Sequence, residues 1–167
     1  SAPAKNEDWT VIMGINHEEY SPSEHHVISA GSCTTNCVVL AVKVLHDAFT
    51  INHGFMTTVH AYTGDQNLVD NSHKDLRRAR AAALNIVPTS SGASKAVGQV
   101  IPDLAGKFDG TALRVPTPTV SLVDLTTSLK DTPTIKDVNE VFEKAAESSL
   151  APYLAYDKDE LVSTDFK

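Results

Sequence analysis

Two thiols, four hydroxyls and a carboxamide fall within nine residues in Ser29-Ala30-Gly31-Ser32-Cys33-Thr34-Thr35-Asn36-Cys37. A short apolar run, Val27-Ile28, leads into this stretch, and Gly31 allows a sharp turn. Residues 37, 40, 41, 44, 45 and 48 then follow the i, i+3, i+4 spacing of a helix packed on one side. Cys33 is therefore expected in the first turn of a helix that follows a strand. Backbone N–H groups at a helix start lack intrahelical partners and favour negative charge, which eases thiolate formation. A disulfide to Cys37 is not expected, because side chains four apart on one helix run parallel. Cys37 is expected to pack with Leu40 and Ala41. The pattern alone leaves two readings of Cys33 open: a nucleophile, or a small buried apolar residue.

Other chemistry-bearing residues lie downstream. Phe55 to Tyr62 reads as a strand, with Phe55, Thr57, Val59 and Ala61 on one face and Met56, Thr58, His60 and Tyr62 on the other. His60 is near its carboxyl end, before the turn signature Thr63-Gly64-Asp65. Read alone, it is a candidate base or an ordinary strand-end histidine. The other six histidines show no ligand spacing, and neither His-Glu-x-x-His nor Cys-x-x-Cys occurs, so no metal site is expected. Thr89-Ser90-Ser91-Gly92-Ala93 opens a helix to about Ile101, and its start is either an anion pocket or a plain cap. Arg114 is near the end of a strand over 111–115, stopped by Pro116-Thr117-Pro118. Arg77, Arg78 and Arg80 fall on an expected short helix over 74–81, capped by Ser72, and read as a solvated or subunit-facing face.

These residues need a scaffold, and the rest of the chain supplies one. Strands are expected over 9–15, ending near Gly14, and over 27–29, 120–129, 153–156 and 161–166. Residues 16–25 and 65–71 read as polar loops, and Asn52-His53-Gly54 as a turn. The Cys33 helix should run to about Phe49 and be buried, since Val38, Val39 and Val42 make it apolar nearly all round. Thr134 begins an amphipathic helix, with Ile135, Val138, Val141, Phe142 and Ala145 in one stripe and Asp137 completing a cap. The 167 residues are 41% hydrophobic and 21% charged, the composition of a globular domain. A formal charge of −7 argues against a nucleic-acid surface. No apolar run is long enough to span a bilayer as a helix, and no signal segment opens the chain. The cysteine usage suits a reducing compartment, so a cytoplasmic location is expected. The start lacks Met and runs almost at once into a strand, and the end reads as a strand; the expectation is a fragment.

Taken together, the blocks resemble the glyceraldehyde-3-phosphate dehydrogenase family. The resemblance rests on Ser32-Cys33-Thr34-Thr35-Asn36-Cys37, His60-Ala61-Tyr62-Thr63-Gly64-Asp65-Gln66, Asp75-Leu76-Arg77-Arg78-Ala79-Arg80-Ala81-Ala82-Ala83, Pro88-Thr89-Ser90-Ser91-Gly92-Ala93-Ser94-Lys95-Ala96-Val97 and Arg114-Val115-Pro116-Thr117-Pro118. They occur in the family's order, over essentially the whole chain. The resemblance implies an α+β catalytic domain over 32–167, truncated at its C-terminus, with a mixed, largely antiparallel sheet and helices packed on it. It is preceded, over 1–31, by the tail of a Rossmann-type cofactor domain whose main part is absent. Cys33 matches the family's nucleophile and His60 its base. Ser32, Thr34, Ser91 and Gly92 match the inorganic phosphate site, Thr63 and Arg114 the site for the substrate's own phosphate, and Asn36 a residue near the nicotinamide. The stretch from Asp65 to about Ile86 resembles an S-shaped loop at subunit contacts. Gly31 stands where Ala is common and Ser91 where Thr is common. Asn71-Ser72 stands where many NAD-using members have Leu-Pro, and Ser there is similar to members that accept NADP, so NADP stays open beside NAD.

The implied reaction converts glyceraldehyde 3-phosphate, phosphate and NAD to 1,3-bisphosphoglycerate and NADH through a thioester on Cys33, in a homotetramer. A free thiol is only a few per cent thiolate at neutral pH, and a helix start contributes roughly 0.3–1 kcal/mol, at most about 2, so an ion pair with His60 is expected. The alternatives are erythrose-4-phosphate dehydrogenase, which shares the cysteine motif, a thiol-dependent hydrolase using Cys33 and His60, and an inert interaction module. Tyr62-Thr63 and Ser90-Ser91-Gly92-Ala93 favour the glyceraldehyde enzyme over the first. The phosphate-binding blocks would be idle in the other two.

Overall fold

Residues 4–166 are described by a computed structural model; Ser1, Ala2, Pro3 and Lys167, and the expectations that touch them, lie outside that range. The chain divides into two compact units. One comprises the stretch up to Phe55, Gly92–Asp109 and Thr126–Lys158; the other comprises Met56–Ser91, Gly110–Leu125 and the stretch from Asp159. The elements are β1 (Trp9–Thr10), β2 (Ile28–Ser29), α1 (Cys33–Phe49), β3 (Ile51–Ala61), β4 (Val87–Ser90), α2 (Ala93–Val100), β5 (Phe108–Val115), β6 (Ser121–Leu129) and α3 (Ile135–Ala146). β1 and β2 pair in parallel, Trp9 opposite Ile28. A four-stranded sheet has the order β4-β5-β3-β6, and β4 pairs antiparallel to β5 with Val87 opposite Arg114. The fold class is α+β with a mixed, mostly antiparallel sheet, as the sequence led one to expect. No described helix is long and apolar enough to cross a membrane.

In the first unit, α1 packs against α2 and α3. Val38, Val39 and Val42 are fully buried, and Leu40 and Val44 form a cluster with Leu150 against which Ile15, Val141, Phe142, Ala145 and Leu154 pack. Thr134 and Asp137 make a reciprocal cap at the start of α3. Only the later part of the expected α3 stripe is in that cluster: Ile135, at the first turn, is 82% exposed. Cys37 also departs from expectation, for it is exposed rather than packed with Leu40 and Ala41. The protein behind its thiol still pushes the pKa up by desolvation, and Cys33 one turn back adds to the rise.

Three strand and turn expectations are corrected here. β1 is two residues long, because the Asn16 side chain accepts from Ile12 N–H at 2.8 Å and donates to the Thr10 carbonyl at 2.9 Å, folding the chain over. Gly14 follows at φ +82, and a Cβ there would lie 2.6 Å from the Tyr153 ring. Asn52-His53-Gly54 is not a turn but part of β3. Gly54 serves a close approach instead: its N–H donates to the Lys107 carbonyl at 2.9 Å, and a Cβ would strike Phe108 at 2.4 Å. The chain reverses at Thr50, φ +52. Residues 153–156 are not a strand, since the N–H groups of Tyr153 and Leu154 both return to the Leu150 carbonyl at 2.8 Å.

In the second unit, Met56, Thr58 and His60 are the buried face of β3, as the alternation requires. Residues 74–81 form turns, not a helix. The Asp75 side chain caps one turn by accepting from Arg77 N–H at 2.9 Å, while Ser72 N–H is taken by the Asn71 side chain. Thr89 and Ser90 belong to β4, so the following helix starts at Ala93. Residues 161–166 hold a 3-10 turn over Ser163–Phe166 where a strand was expected, because the Asp165 carboxylate accepts from Val162 N–H at 2.7 Å.

Candidate active site

The first unit presents Cys33 at the start of α1. Ser32 is the N-cap: its hydroxyl accepts from Thr35 N–H at 3.0 Å and lies 2.8 Å from the Thr35 hydroxyl. Gly31 turns the chain into the helix at φ +67, with Ile12 and Thr35 so near that a Cβ would lie 3.1–3.3 Å from them. Cys33 is exposed and Thr34 is buried. The Asn36 amide nitrogen donates to the Ala30 and Ser32 carbonyls, both at 2.8 Å. Its oxygen therefore points away from those carbonyls as an acceptor. Gly92, in the same unit, precedes α2 as its N-cap without a side-chain bond, and a Cβ there would meet nothing.

The second unit gathers His60, Thr63 and Arg114 around one peptide group. His60 is 8% exposed, and its Nδ1 lies 2.7 Å from the Ala61 carbonyl oxygen. That oxygen can only accept, so Nδ1 carries the proton and Nε2 is the basic nitrogen of the neutral ring. Arg114 Nη1 donates to the same oxygen at 3.2 Å and to Thr63 Oγ1 at 2.7 Å. The Thr63 hydroxyl donates in turn to Asp65, whose second oxygen accepts from Arg78 Nη1 at 2.5 Å. Arg78 Nε donates to Thr89 Oγ1 at 2.9 Å, and that hydroxyl donates to Asp75 at 2.9 Å. Ser91 follows β4, half-buried. Loop 116–120 closes over the strand end: Ala61 N–H donates to the Val120 carbonyl at 3.2 Å and Tyr62 N–H to Thr117 at 3.1 Å. Val120 adopts φ +71, which a β-branched residue takes only when its surroundings force it.

This environment sets the charge states. Burial pushes the His60 imidazole below its ordinary pKa; the Ala61 carbonyl opposes this, the Arg114 and Arg78 charges add to it, and Asp65 opposes it. Burial alone would raise Asp65, but bonds from Thr63 and Arg78 and the two arginine charges outweigh it and hold the carboxyl below its usual value.

The pattern of the glyceraldehyde 3-phosphate dehydrogenase C-terminal domain matches residues 32–167. The chain belongs to the glyceraldehyde-3-phosphate dehydrogenase family. It is 56% identical over 166 residues to the Geobacillus stearothermophilus glyceraldehyde-3-phosphate dehydrogenase, covering 99% of this chain and 50% of that one. It is 56% identical over 165 residues to the enzyme numbered 1 of Streptomyces avermitilis (99% and 49% covered). It is 54% identical over 167 residues to the enzyme numbered 2 of Trichormus variabilis (100% and 50% covered). The chain thus spans about half the length of the curated relatives it matches.

Against the family pattern, Ser32, Cys33, Thr34, Asn36 and Gly92 lie in the first unit, and His60, Thr63, Ser91 and Arg114 in the second. Sequence reasoning missed Asp65 and Arg78, which buttress Thr63 and Arg114. The sequence pattern reads Arg78 as a solvated or subunit-facing charge; the structure pins it between Asp65 and Thr89. Its partners are 13 and 11 residues away in sequence, beyond any helical or strand period.

Proposed function

We propose that the chain is the catalytic part, with residues 1–31 ending a cofactor domain, of a phosphorylating, NAD-dependent glyceraldehyde-3-phosphate dehydrogenase. The family match carries this reading, because residues 32–167 contain every proposed site residue. Cys33 is the nucleophile, and the exposure of its thiol at a capped helix start supports that role. Its thiolate adds to the aldehyde carbon, and the N–H groups of the helix start stabilise the resulting oxyanion. His60, protonated beside the thiolate, gives its Nε2 proton to this oxyanion to make the thiohemiacetal hydroxyl, and takes that proton back as the carbon gives up its hydride and the thioester forms. Inorganic phosphate, held by Ser32, Thr34, Ser91 and Gly92, attacks the thioester carbonyl, and the Cys33 thiolate leaves. Arg114 and Thr63 hold the substrate's own phosphate, the guanidinium supplying a planar fork.

The residues present fit only one end of the cofactor. The anchored carboxamide of Asn36 fits the amide end of a nicotinamide. No two glycines in the chain are separated by a single residue, so the G-x-G-x-x-G turn that cradles a pyrophosphate is not encoded in it. When bound, the nicotinamide takes up the hydride; the Asn71-Ser72 pair leaves NADP beside NAD as its source. The whole enzyme is read as a cytoplasmic homotetramer. The loop 65–86 suits a place between subunits: Leu68, Val69, Leu76, Leu84 and Ile86 are exposed, Leu68 to 91%.

The test uses the full-length protein containing this chain. Cys33→Ser is expected to lower aldehyde- and phosphate-dependent NADH formation by at least roughly a thousandfold and to abolish iodoacetate labelling at this position. Undiminished turnover in that variant would overturn the reading.

A further inference from the structure

In loop 65–86, Asn71 and Ser72 are exposed and belong to no helix or strand. Asn71 Oδ1 accepts from the N–H of Ser72, the very next residue, at 2.8 Å. A carbonyl bond is about 1.23 Å long, so the Ser72 nitrogen lies no more than about 4 Å from Asn71 Cγ. Near-attack distances are roughly 3–3.5 Å, and the two atoms are spaced to close a five-membered ring. Asn71 Nδ2, the group that would leave such a ring, makes no hydrogen bond among the described residues. We propose that Asn71 is a site of spontaneous deamidation in the folded protein, with the Ser72 nitrogen as nucleophile, water as co-reactant and a mixture of aspartyl and isoaspartyl residues as product.

Hydroxide takes the proton from the Ser72 nitrogen. The freed electron pair bonds to Asn71 Cγ, the Cγ–Nδ2 bond breaks, and Nδ2 leaves as ammonia with a proton from water. The ring that remains is a succinimide. Water then opens it at either carbonyl carbon. Opening between Cγ and the nitrogen restores the ordinary peptide bond and leaves an aspartate. Opening at the main-chain carbonyl routes the chain through Cγ and leaves an isoaspartate. In sum, one amide and one water become one carboxylic acid and one ammonia, with no oxidant or reductant. Attack needs the face of Cγ, not the edge of Oδ1, turned to the nitrogen. Rotation about Cβ–Cγ does this, and that torsion is soft in an exposed asparagine. A small attacking residue crowds the ring least. Of the eight asparagines in the chain, Asn71 alone precedes a serine; the others precede Glu, His, Cys, Leu or Ile. Asn36 and Asn52 are also held in regular backbone, in α1 and β3. The product loosens the loop. Asn71 N–H donates to the Ala79 carbonyl at 2.9 Å, and the Asn71 carbonyl accepts from Asn67 Nδ2 at 3.2 Å. An isoaspartyl link adds one carbon to the main chain between those two groups, so both bonds lose their registration. It also sets a carboxylate beside Asp70, which holds Arg80 Nε and Ala81 N–H, each at 2.9 Å. This chemistry needs neither Cys33 nor His60.

The test ages the full-length protein, folded, in mildly alkaline buffer and then digests it with trypsin. Cleavage after Lys43 and Lys74 releases one peptide that carries Asn52, Asn67 and Asn71, so two of the three serve as internal controls. Fragmentation in the mass spectrometer is expected to show amide-to-acid exchange at Asn71 at least roughly tenfold ahead of the other two. An isoaspartate methyltransferase with labelled S-adenosylmethionine should mark the aged protein and not the fresh one. Ser72→Pro leaves the attacking nitrogen no hydrogen to lose and should block the exchange; Ser72→Val keeps the N–H, crowds the ring and should slow it. Exchange at Asn71 no faster than at Asn52 and Asn67, or undiminished in both Ser72 variants, overturns the proposal. Limited trypsin treatment should cut after Lys74 or Arg77 sooner in the aged parent than in aged Asn71→Gln, and equal rates would overturn the loosening of the loop.

Discussion

His60 combines burial with a titration range close to physiological pH, so its environment has consequences for stability as well as for chemistry. Its folded-state pKa is depressed by burial first, with the arginine charges adding to that. Between that depressed value and about 6.5, the unfolded chain binds more protons at this position than the folded chain does. The His60 contribution to stability is therefore fully present above about pH 6.5 and is lost as pH falls through the folded-state value. Urea midpoints of the full-length protein should accordingly fall more steeply on acidification from pH 7.5 to 5 than those of His60→Gln. Parallel profiles in parent and variant would show that burial of this ring does not govern its titration. The candidate residues lie in short local blocks of the sequence, where their types and order could be read directly. What surrounds them was not legible: the Ala61 carbonyl joining His60 to Arg114 is a backbone atom, with no residue type to betray it. The Asp65–Arg78 pair is made by two loops, and no periodic pattern links them.

At the scale of elements, α1 and α3 were the most legible, whereas α2 starts after Gly92 with no side-chain cap and residues 74–81 form turns. Cys33 in the first turn of α1 and the Thr134–Asp137 pair at α3 sit where spacing placed them, whereas the Ser32 cap of α1 was not read from the pattern. Strands were misjudged wherever a glycine or a polar side chain served a purpose other than turning. Gly54 looks like turn chemistry in sequence, yet it is needed so that Phe108 can pack over β3. Residues 9–15 are β-rich and apolar like a strand, but the Asn16 side chain takes up backbone groups at Ile12 and Thr10 that a partner strand would otherwise meet. The α1 cap offers a direct measure. Ser32→Ala removes the acceptor for Thr35 N–H and the hydroxyl pair with Thr35, which should cost about 1 kcal/mol, within a range of roughly 0.5–2. Ser32→Gly should cost only a few tenths of that scale, roughly 0.2–0.4 kcal/mol, because glycine leaves the N–H groups open to water. Equilibrium urea unfolding monitored by circular dichroism separates the two variants. Equal losses in both would mean that the cap bond does not stabilise α1.

At the scale of the whole molecule, binding and turnover need more than the residues that touch the substrate. In the proposed reading only Asn36 meets the cofactor, and a single carboxamide offers one or two hydrogen bonds, each contributing about 0.5–1.5 kcal/mol. Even a millimolar dissociation constant corresponds to about 4 kcal/mol, so Asn36 alone falls short of measurable affinity. The remainder in dinucleotide sites comes from a glycine-rich turn and a helix start against the pyrophosphate, and no such glycine spacing occurs here. The exposed leucines, valine and isoleucine of loop 65–86 add a second deficit, since few buried apolar contacts hold that loop when no other surface covers it. The 167-residue chain alone is thus expected to bind NAD negligibly and to form no NADH from glyceraldehyde 3-phosphate and phosphate, while Cys33 remains open to iodoacetate because its helix start is intact. Calorimetric titration of the isolated chain with NAD, followed by the coupled assay and mass spectrometry of the alkylated peptide, tests all three points together. Micromolar affinity for NAD, or turnover comparable to that of the full-length protein, would mean that these residues form a cofactor site on their own.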